Sequence, residues 1–479
     1  MKLFLPALAL SFLTISCMST VSSQSETEKQ EETKQTALSS SLPNSLPNQL
    51  PQNVIMIIGD GMGPAYTSAY RYFKDNPSTE IVEETVFDRH LTGLSSTYPA
   101  SVSGIVTDSA ASATALATGV KSYNGAIGVD VNHKEVQTVL EWAKLQGKKT
   151  GVVVTSQINH ATPASYLAHN ENRRNYNAIA DSYIDDGIKA DLYLGGGWKF
   201  FIREDRNLVD EFKQAGFHYI DKYQDLKNLP KSKPVLGLFA DIGLPWALDD
   251  TNKHRLSAMT KTAVHHLTDL QKHDNVPDNG FFMLIEASQI DWAGHGNAIS
   301  DAMAEMDDLA KTLEYLEHFV DHHPDTLVIV TADHSTGGFT LAANSKYEWQ
   351  AEVLRTMKHS VNYIAKVLAT DEISPKSTKE LFNFELNPDE LDLLIKAKVT
   401  PQLNENNNMY QDKNTSAAEL ALLKQVKRLI DNRTNSGWTS GGHTAIDVPV
   451  FAFGKQSELF NGSQDNTDIA KKIFTLLGK

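Results

Sequence analysis

Val54-Ile55-Met56-Ile57-Ile58-Gly59-Asp60-Gly61-Met62-Gly63 is an unbroken apolar run that ends in a glycine-rich turn carrying one acid. A run without polar alternation fits a strand buried on both faces, as in a parallel sheet. Four more runs share the pattern: Thr150-Gly151-Val152-Val153-Val154-Thr155, Phe281-Phe282-Met283-Leu284-Ile285, Leu327-Val328-Ile329-Val330-Thr331 and Val448-Pro449-Val450-Phe451-Ala452-Phe453. Helical periodicity lies between them, over 136–146 (closed by Gly147) and 302–320. Strands alternating with helices predict a doubly wound α/β fold, a three-layer sandwich around a large, mostly parallel sheet.

Ligands of such sheets bind beyond the carboxyl ends of the strands. Asp60 follows the first run, and His160, Thr162 and Arg173 follow the second. Glu286, Asp291, Trp292 and His295 follow the third, Asp333-His334 the fourth, and Gly441-Gly442-His443-Thr444 stands just before the last. Each fragment alone has a bland explanation: a turn acid, a surface pair at i, i+4 spacing, a loop histidine. Gathered at one edge they read as metal ligands.

A second stretch, Thr107-Asp108-Ser109-Ala110-Ala111-Ser112-Ala113-Thr114-Ala115-Leu116-Ala117-Thr118-Gly119, is a helix of small residues with a glycine stop. Ser109 falls at or next to its N-cap, where free N–H groups and the positive dipole end favour an oxyanion or phosphate. Without the other motifs, Asp108 and Ser109 would be ordinary caps.

The chain has 479 residues, 41% of them apolar, enough for a sizeable core, and a formal charge of −15 that excludes the basic footprint of a nucleic-acid binder. Residues 1–17 read as a secretory signal, with Lys2, an apolar core and then small residues. Its end, Leu13-Thr14-Ile15-Ser16-Cys17, resembles a lipoprotein box with threonine for the usual leucine, leaving lipidation at Cys17 and plain cleavage both open. Cys17 is the only cysteine, so the mature domain has no disulfide. Residues 18–52 are polar, then proline-punctuated, and read as a flexible tether; 53–479 reads as the folded domain.

These motifs, in this order, resemble the alkaline phosphatases. The resemblance runs from about Asn53 to the last strand and implies a homodimer that hydrolyses phosphate monoesters at alkaline pH, while the N-terminal signal points to export, to the periplasm or an outer-membrane anchor. It implies two zinc ions and one magnesium ion per subunit. One zinc falls to Asp291, His295 and His443, the other to Asp60, Asp333 and His334 beside Ser109, and magnesium to Asp60, Thr162 and Glu286. Ser109 is implied as the phosphorylated nucleophile and Arg173 as the phosphate clamp. Where the enterobacterial type has aspartate and lysine, this chain has His160, beside the magnesium site, and Trp292, beside the substrate, as in cold-active marine members. A further departure, residues 347–435, resembles the long-loop or crown insertions of some relatives. Sulfatases require a Cys/Ser-x-Pro-x-Arg context that Ser109-Ala110-Ala111-Ser112-Ala113 lacks. Phosphodiesterases and phosphoglycerate mutases share the two-metal core but rearrange its ligands, and an idle metal-binding lipoprotein fits poorly because no catalytic part is missing.

Overall fold

Along Asn53–Gly59 successive side chains point to opposite faces of the sheet. Ile55 and Ile57 enter one apolar cluster and Val54, Met56 and Ile58 another, all fully buried. Two cores flanking one strand make three layers. The computed structural model describes residues 50–273, 278–400 and 415–479. The signal, Cys17 and the tether up to residue 49 lie outside the described residues.

In chain order the strands are β1 (Asn53–Gly59), β2 (Leu91–Ser96), β3 (Lys149–Gln157), β4 (Leu192–Gly196), β5 (His218–Ile220), β6 (Val235–Leu238), β7 (Phe281–Ala287) and β8 (Thr326–Thr331). The short β9 (Ser335–Thr336), β10 (Phe339–Thr340), β11 (Gly437–Trp438) and β12 (His443–Thr444) follow, then β13 (Val448–Gly454) and β14 (Gly462–Asp465). Ten form one sheet in the order β14-β2-β13-β8-β1-β7-β3-β4-β6-β5. β13 runs antiparallel to both neighbours, with Val450 opposite Thr331 and Gly454 opposite Leu327. The residues before β13 therefore lie at the edge where the parallel strands end, which is how His443 reaches the same rim as Asp60 and Asp333.

The helix Ser109–Thr118 is buried along its whole length and packs against the helices Ala161–Leu167 and Asn466–Leu476. Alanine and serine allow that close approach on several sides. Asp108, not Ser109, is the N-cap, accepting from Ala111 N at 2.9 Å, and Gly119 ends the helix at φ 74°.

The helix expected over 136–146 is shorter, Val139–Leu145, because Thr138 and Glu141 form a capping box that fixes its start. Within 347–435 the first two helices are Glu352–Thr356 and Val361–Thr370, separated where Ser360 caps a fresh N-terminus. Among its described residues the 347–435 region has three more helices, Pro375–Phe382, Pro388–Val399 and Ala417–Thr434. Its Leu354, Ile364, Leu368, Phe382, Leu422 and Leu429 join the cluster that holds Ile55 and Ile57. Among the described residues no helix is long and apolar enough to cross a membrane.

Candidate active site

The rim is assembled by turns too tight for side chains. Gly61 has φ 74°, and a Cβ there would lie 2.7 Å from Asp291 Cα, so the turn presenting Asp60 needs glycine. β7 delivers Glu286, and the helix Gln289–Gly296 carries Asp291 and His295 one turn apart. Past β8, β9 pairs with β12, setting His443 opposite Thr336 and stacking its ring on His334 at 3.5 Å.

Each histidine of this group has its Nδ1 occupied. His443 Nδ1 meets Thr107 O at 2.9 Å and His295 Nδ1 meets Gly441 O at 2.7 Å. Thr336 Oγ1 spends its one hydrogen on Asp291 Oδ1 at 2.6 Å, so it accepts from His334 Nδ1 at 3.1 Å. Bonds of this kind fix the tautomer and leave Nε2 as the lone-pair atom. Those lone pairs converge: His443 Nε2 is 3.0 Å from His295 Nε2 and 3.6 Å from Asp291 Oδ1, and His295 Nε2 is 3.4 Å from Asp291 Oδ2. His334 Nε2 stands 3.4 Å from Asp60 Oδ1 and 3.2 Å from Asp333 Oδ2.

Donor atoms facing one another without hydrogens between them call for a cation. Three sets have ligand atoms within 4.8 Å of each other: Asp291, His334 and His443; Asp60, Asp333 and His334; Asp60, His160 and Glu286. Among the described residues, both Asp60 oxygens, Asp333 Oδ2, Glu286 Oε1, Thr162 Oγ1 and His160 Nδ1 are buried without a hydrogen-bond partner. Such orphans are costly unless something bonds them. Burial, then the charges of Asp333, Asp291 and Glu286, push the Asp60 carboxyl well above the usual carboxylate range. Burial and Asp291 push Asp333 up to about 8. Burial first, then neighbouring cationic groups, holds His334 and His160 well below the usual histidine value. The donor set fits divalent ions.

Ser109 lies at the first turn of its helix, buried, with Oγ 3.2 Å from His334 Nε2. Arg173 closes the opposite side, with one guanidinium nitrogen on Asp108 Oδ2 at 3.0 Å and the other 3.4 Å from His160 Nε2. The Trp292 indole meets the His160 ring edge-on at 6.0 Å. It lies so close over Gly243 that a Cβ there would be 2.4 Å from the ring. All the residues singled out in the sequence thus stand at one site.

Other contributors had no sequence signal. Thr336, Ser156 (bonded to Glu286 Oε2 at 3.1 Å) and Ser112 (bonded to Asp333 O at 2.6 Å) are ordinary hydroxyl residues until the fold places them. Asn466 Nδ2 in turn donates to Ser112 Oγ at 3.0 Å, from the far end of the chain.

The family model described as "Alkaline phosphatase" matches residues 51–478. Alkaline phosphatase 3 of Bacillus subtilis (strain 168) is 45% identical over 433 residues, 89% of each chain. The crystal structure of a cold-active alkaline phosphatase from a psychrophilic Shewanella sp. is 46% identical, with a TM-score of 0.80, covering 89% of this chain and 100% of that one. A histidine-to-glutamate variant of the TAB5 alkaline phosphatase, solved with Mg bound in the M3 site, is 29% identical, with a TM-score of 0.64 over 90% of this chain and 98% of that one.

Proposed function

This chain belongs to the alkaline phosphatase family, and from that premise we propose that it hydrolyses phosphate monoesters at alkaline pH through a phosphoserine on Ser109, beside two zinc ions and one magnesium ion. Its activity class, metal-dependent phosphomonoesterase, comes with the family. The observation that carries the finer reading is the Ser109 hydroxyl, 3.2 Å from a metal-type histidine nitrogen and at the N-terminus of a buried helix.

Asp291, His295 and His443 hold one zinc, and Asp60, Asp333 and His334 hold the other next to Ser109; mixed imidazole and carboxylate sets suit zinc. Asp60, Thr162 and Glu286 offer oxygen ligands to magnesium. His160 stands in that third set, and its nitrogen favours zinc over magnesium, so the site is easily emptied or wrongly filled. The Mg-bound TAB5 variant, with a histidine replaced by glutamate, supports this view of a histidine at a magnesium site.

When bound, such ions neutralise phosphoryl oxygens, lower the pKa of coordinated hydroxyl and water, and stabilise a leaving alkoxide. The protein does the rest. Ser109 Oγ attacks phosphorus in line with the departing alcohol, and the helix N-terminus faces the developing charge. Arg173 grips two non-bridging oxygens with its planar fork, held flat by Asp108. Trp292 and His160 line the phosphate pocket. Water then displaces Ser109 from phosphorus in a second in-line step, so configuration at phosphorus is retained overall.

The chain pairs with a second copy. The exposed apolar side chains Leu91, Leu94, Val102, Ile105 and Val106 support this, and sedimentation analysis measures it. The N-terminal signal supports export, with Cys17 as the candidate anchor.

The deciding experiment compares zinc-replete wild type with Ser109→Ala. The variant is expected to lose activity on the order of a thousandfold or more while keeping its metal content. Acid-quenched wild type is expected to carry phosphate on Ser109 by mass spectrometry. Equal turnover by the alanine variant would refute the reading.

A further inference from the structure

The helix Ala417–Thr434 lies in the 347–435 insertion, yet two of its side chains reach walls of the metal site. Lys427 Nζ donates to Gly296 O at 2.7 Å. Gly296 is the last residue of the helix that carries Asp291 and His295, where the carbonyls and the negative dipole end attract a cation. Asn297 follows in a left-handed turn, and turning its side-chain amide over lets the nitrogen donate to Gly294 O at 2.9 Å and to Ser440 O at 3.0 Å. Ser440 precedes Gly441, whose carbonyl orients His295.

One helical turn beyond Lys427, Asp431 Oδ1 accepts from Trp438 Nε1 at 3.0 Å. The Trp438 ring lies against Gly337, where a Cβ would stand 2.7 Å from it. Gly337 follows Thr336, the residue whose hydroxyl serves both Asp291 and His334. Residues at i and i+4 share a helix face, so one face of the insertion presses on both walls of the site. A surface excursion would have no use for a part-buried ammonium aimed at a helix end, since burying such a group is costly unless its hydrogens are used.

We infer that Lys427 and Asp431 are positioning residues for the metal site, Lys427 through the end of the helix bearing Asp291 and His295, and Asp431 through Trp438 and the Gly337 turn. This rests on the reading of the rim as a zinc centre. The insertion thereby sets how firmly the site keeps its ions.

The test uses the full-length, zinc-loaded protein challenged with excess chelator, with retained zinc measured over time by elemental analysis and melting temperature recorded in parallel. Lys427→Met is expected to shed zinc about tenfold faster than wild type, the scale of a lost orienting contact, and Lys427→Arg to restore retention. Asp431→Leu carries the same expectation, so failure of one variant to fold leaves the other to decide. Arg433→Met is the control. Arg433 pairs with Glu390 at 2.6 Å inside the insertion, so its loss loosens the insertion alone and zinc loss is expected at the wild-type rate. Wild-type retention by both Lys427→Met and Asp431→Leu overturns the inference, and so does zinc loss from Arg433→Met as fast as from Lys427→Met. Wild type that takes up no zinc sinks the zinc-centre reading itself, a distinct outcome.

Discussion

A single hydroxyl, that of Thr336, orients two of the proposed zinc ligands by donating to Asp291 and accepting from His334. Thr336→Val keeps the shape and removes both bonds. Zinc affinity is expected to fall by about 10- to 100-fold, read by competition with a chromogenic chelator; unchanged affinity would mean that packing alone holds the two ligands. Trp292 makes a different case, because its ring lies beside His160 and brings no charge to the proposed phosphate pocket. Trp292→Lys adds a cation there, and inhibition by inorganic phosphate is expected to tighten by roughly tenfold, equivalent to about 1.4 kcal/mol. Phosphate binding no tighter than wild type would show that the charge does not reach the anion. The acids and histidines of the rim were legible because chemistry restricts which residue types can serve as metal donors. The residues that aim them were not, since a threonine two positions past His334 looks like any other until β9 pairs with β12.

Secondary-structure elements were legible where burial was two-sided and obscure where it was not. β1, β3, β7 and β8 show as apolar runs, whereas the short β5 and β6 and the polar edge strand β14 have little periodicity to read. The reversed direction of β13 left no mark in its composition, because direction is set by the connection that precedes it. Between Glu352–Thr356 and Val361–Thr370, the break follows from carboxylates supplied by the core. Asp249 accepts from Ser360 N at 2.9 Å and Asp301 from Val361 N at 3.2 Å, at the positive end of the new helix. Burial, then Asp249, pushes the Asp301 carboxyl up to about 8. An unfolded aspartate releases its proton near pH 3.9, so the folded state binds the extra proton between the two values. Stability from this group is full below about pH 4 and declines as pH rises toward about 8. Asp301→Asn mimics the protonated form and is expected to lose less melting temperature than wild type between about pH 5 and about pH 8. Parallel slopes for the two proteins would count against Asp301 as the source.

At the scale of the molecule, the core and the site are one construction. The sheet buries its centre on both faces, and the helices of 347–435 extend one core rather than forming another. The rim concentrates Asp60, Glu286, Asp291 and Asp333 in a protein already carrying −15 charges. Ions that bind the folded state alone stabilise it by mass action, about 2.7 kcal/mol at a hundredfold excess over Kd. Exhaustive chelation is therefore expected to abolish hydrolysis and lower the melting temperature by several degrees, with added zinc reversing both. A melting temperature indifferent to verified metal loss would argue that the bare carboxylates are accommodated some other way.

The antiparallel placement of β13 gives the polypeptide a late clasp. Asp60 comes first along the chain, and the donor side chains gathered with it come from four later segments, the last supplying His443. A chain cut before that point lacks one jaw and is expected to hold divalent ions less tightly than one that includes it.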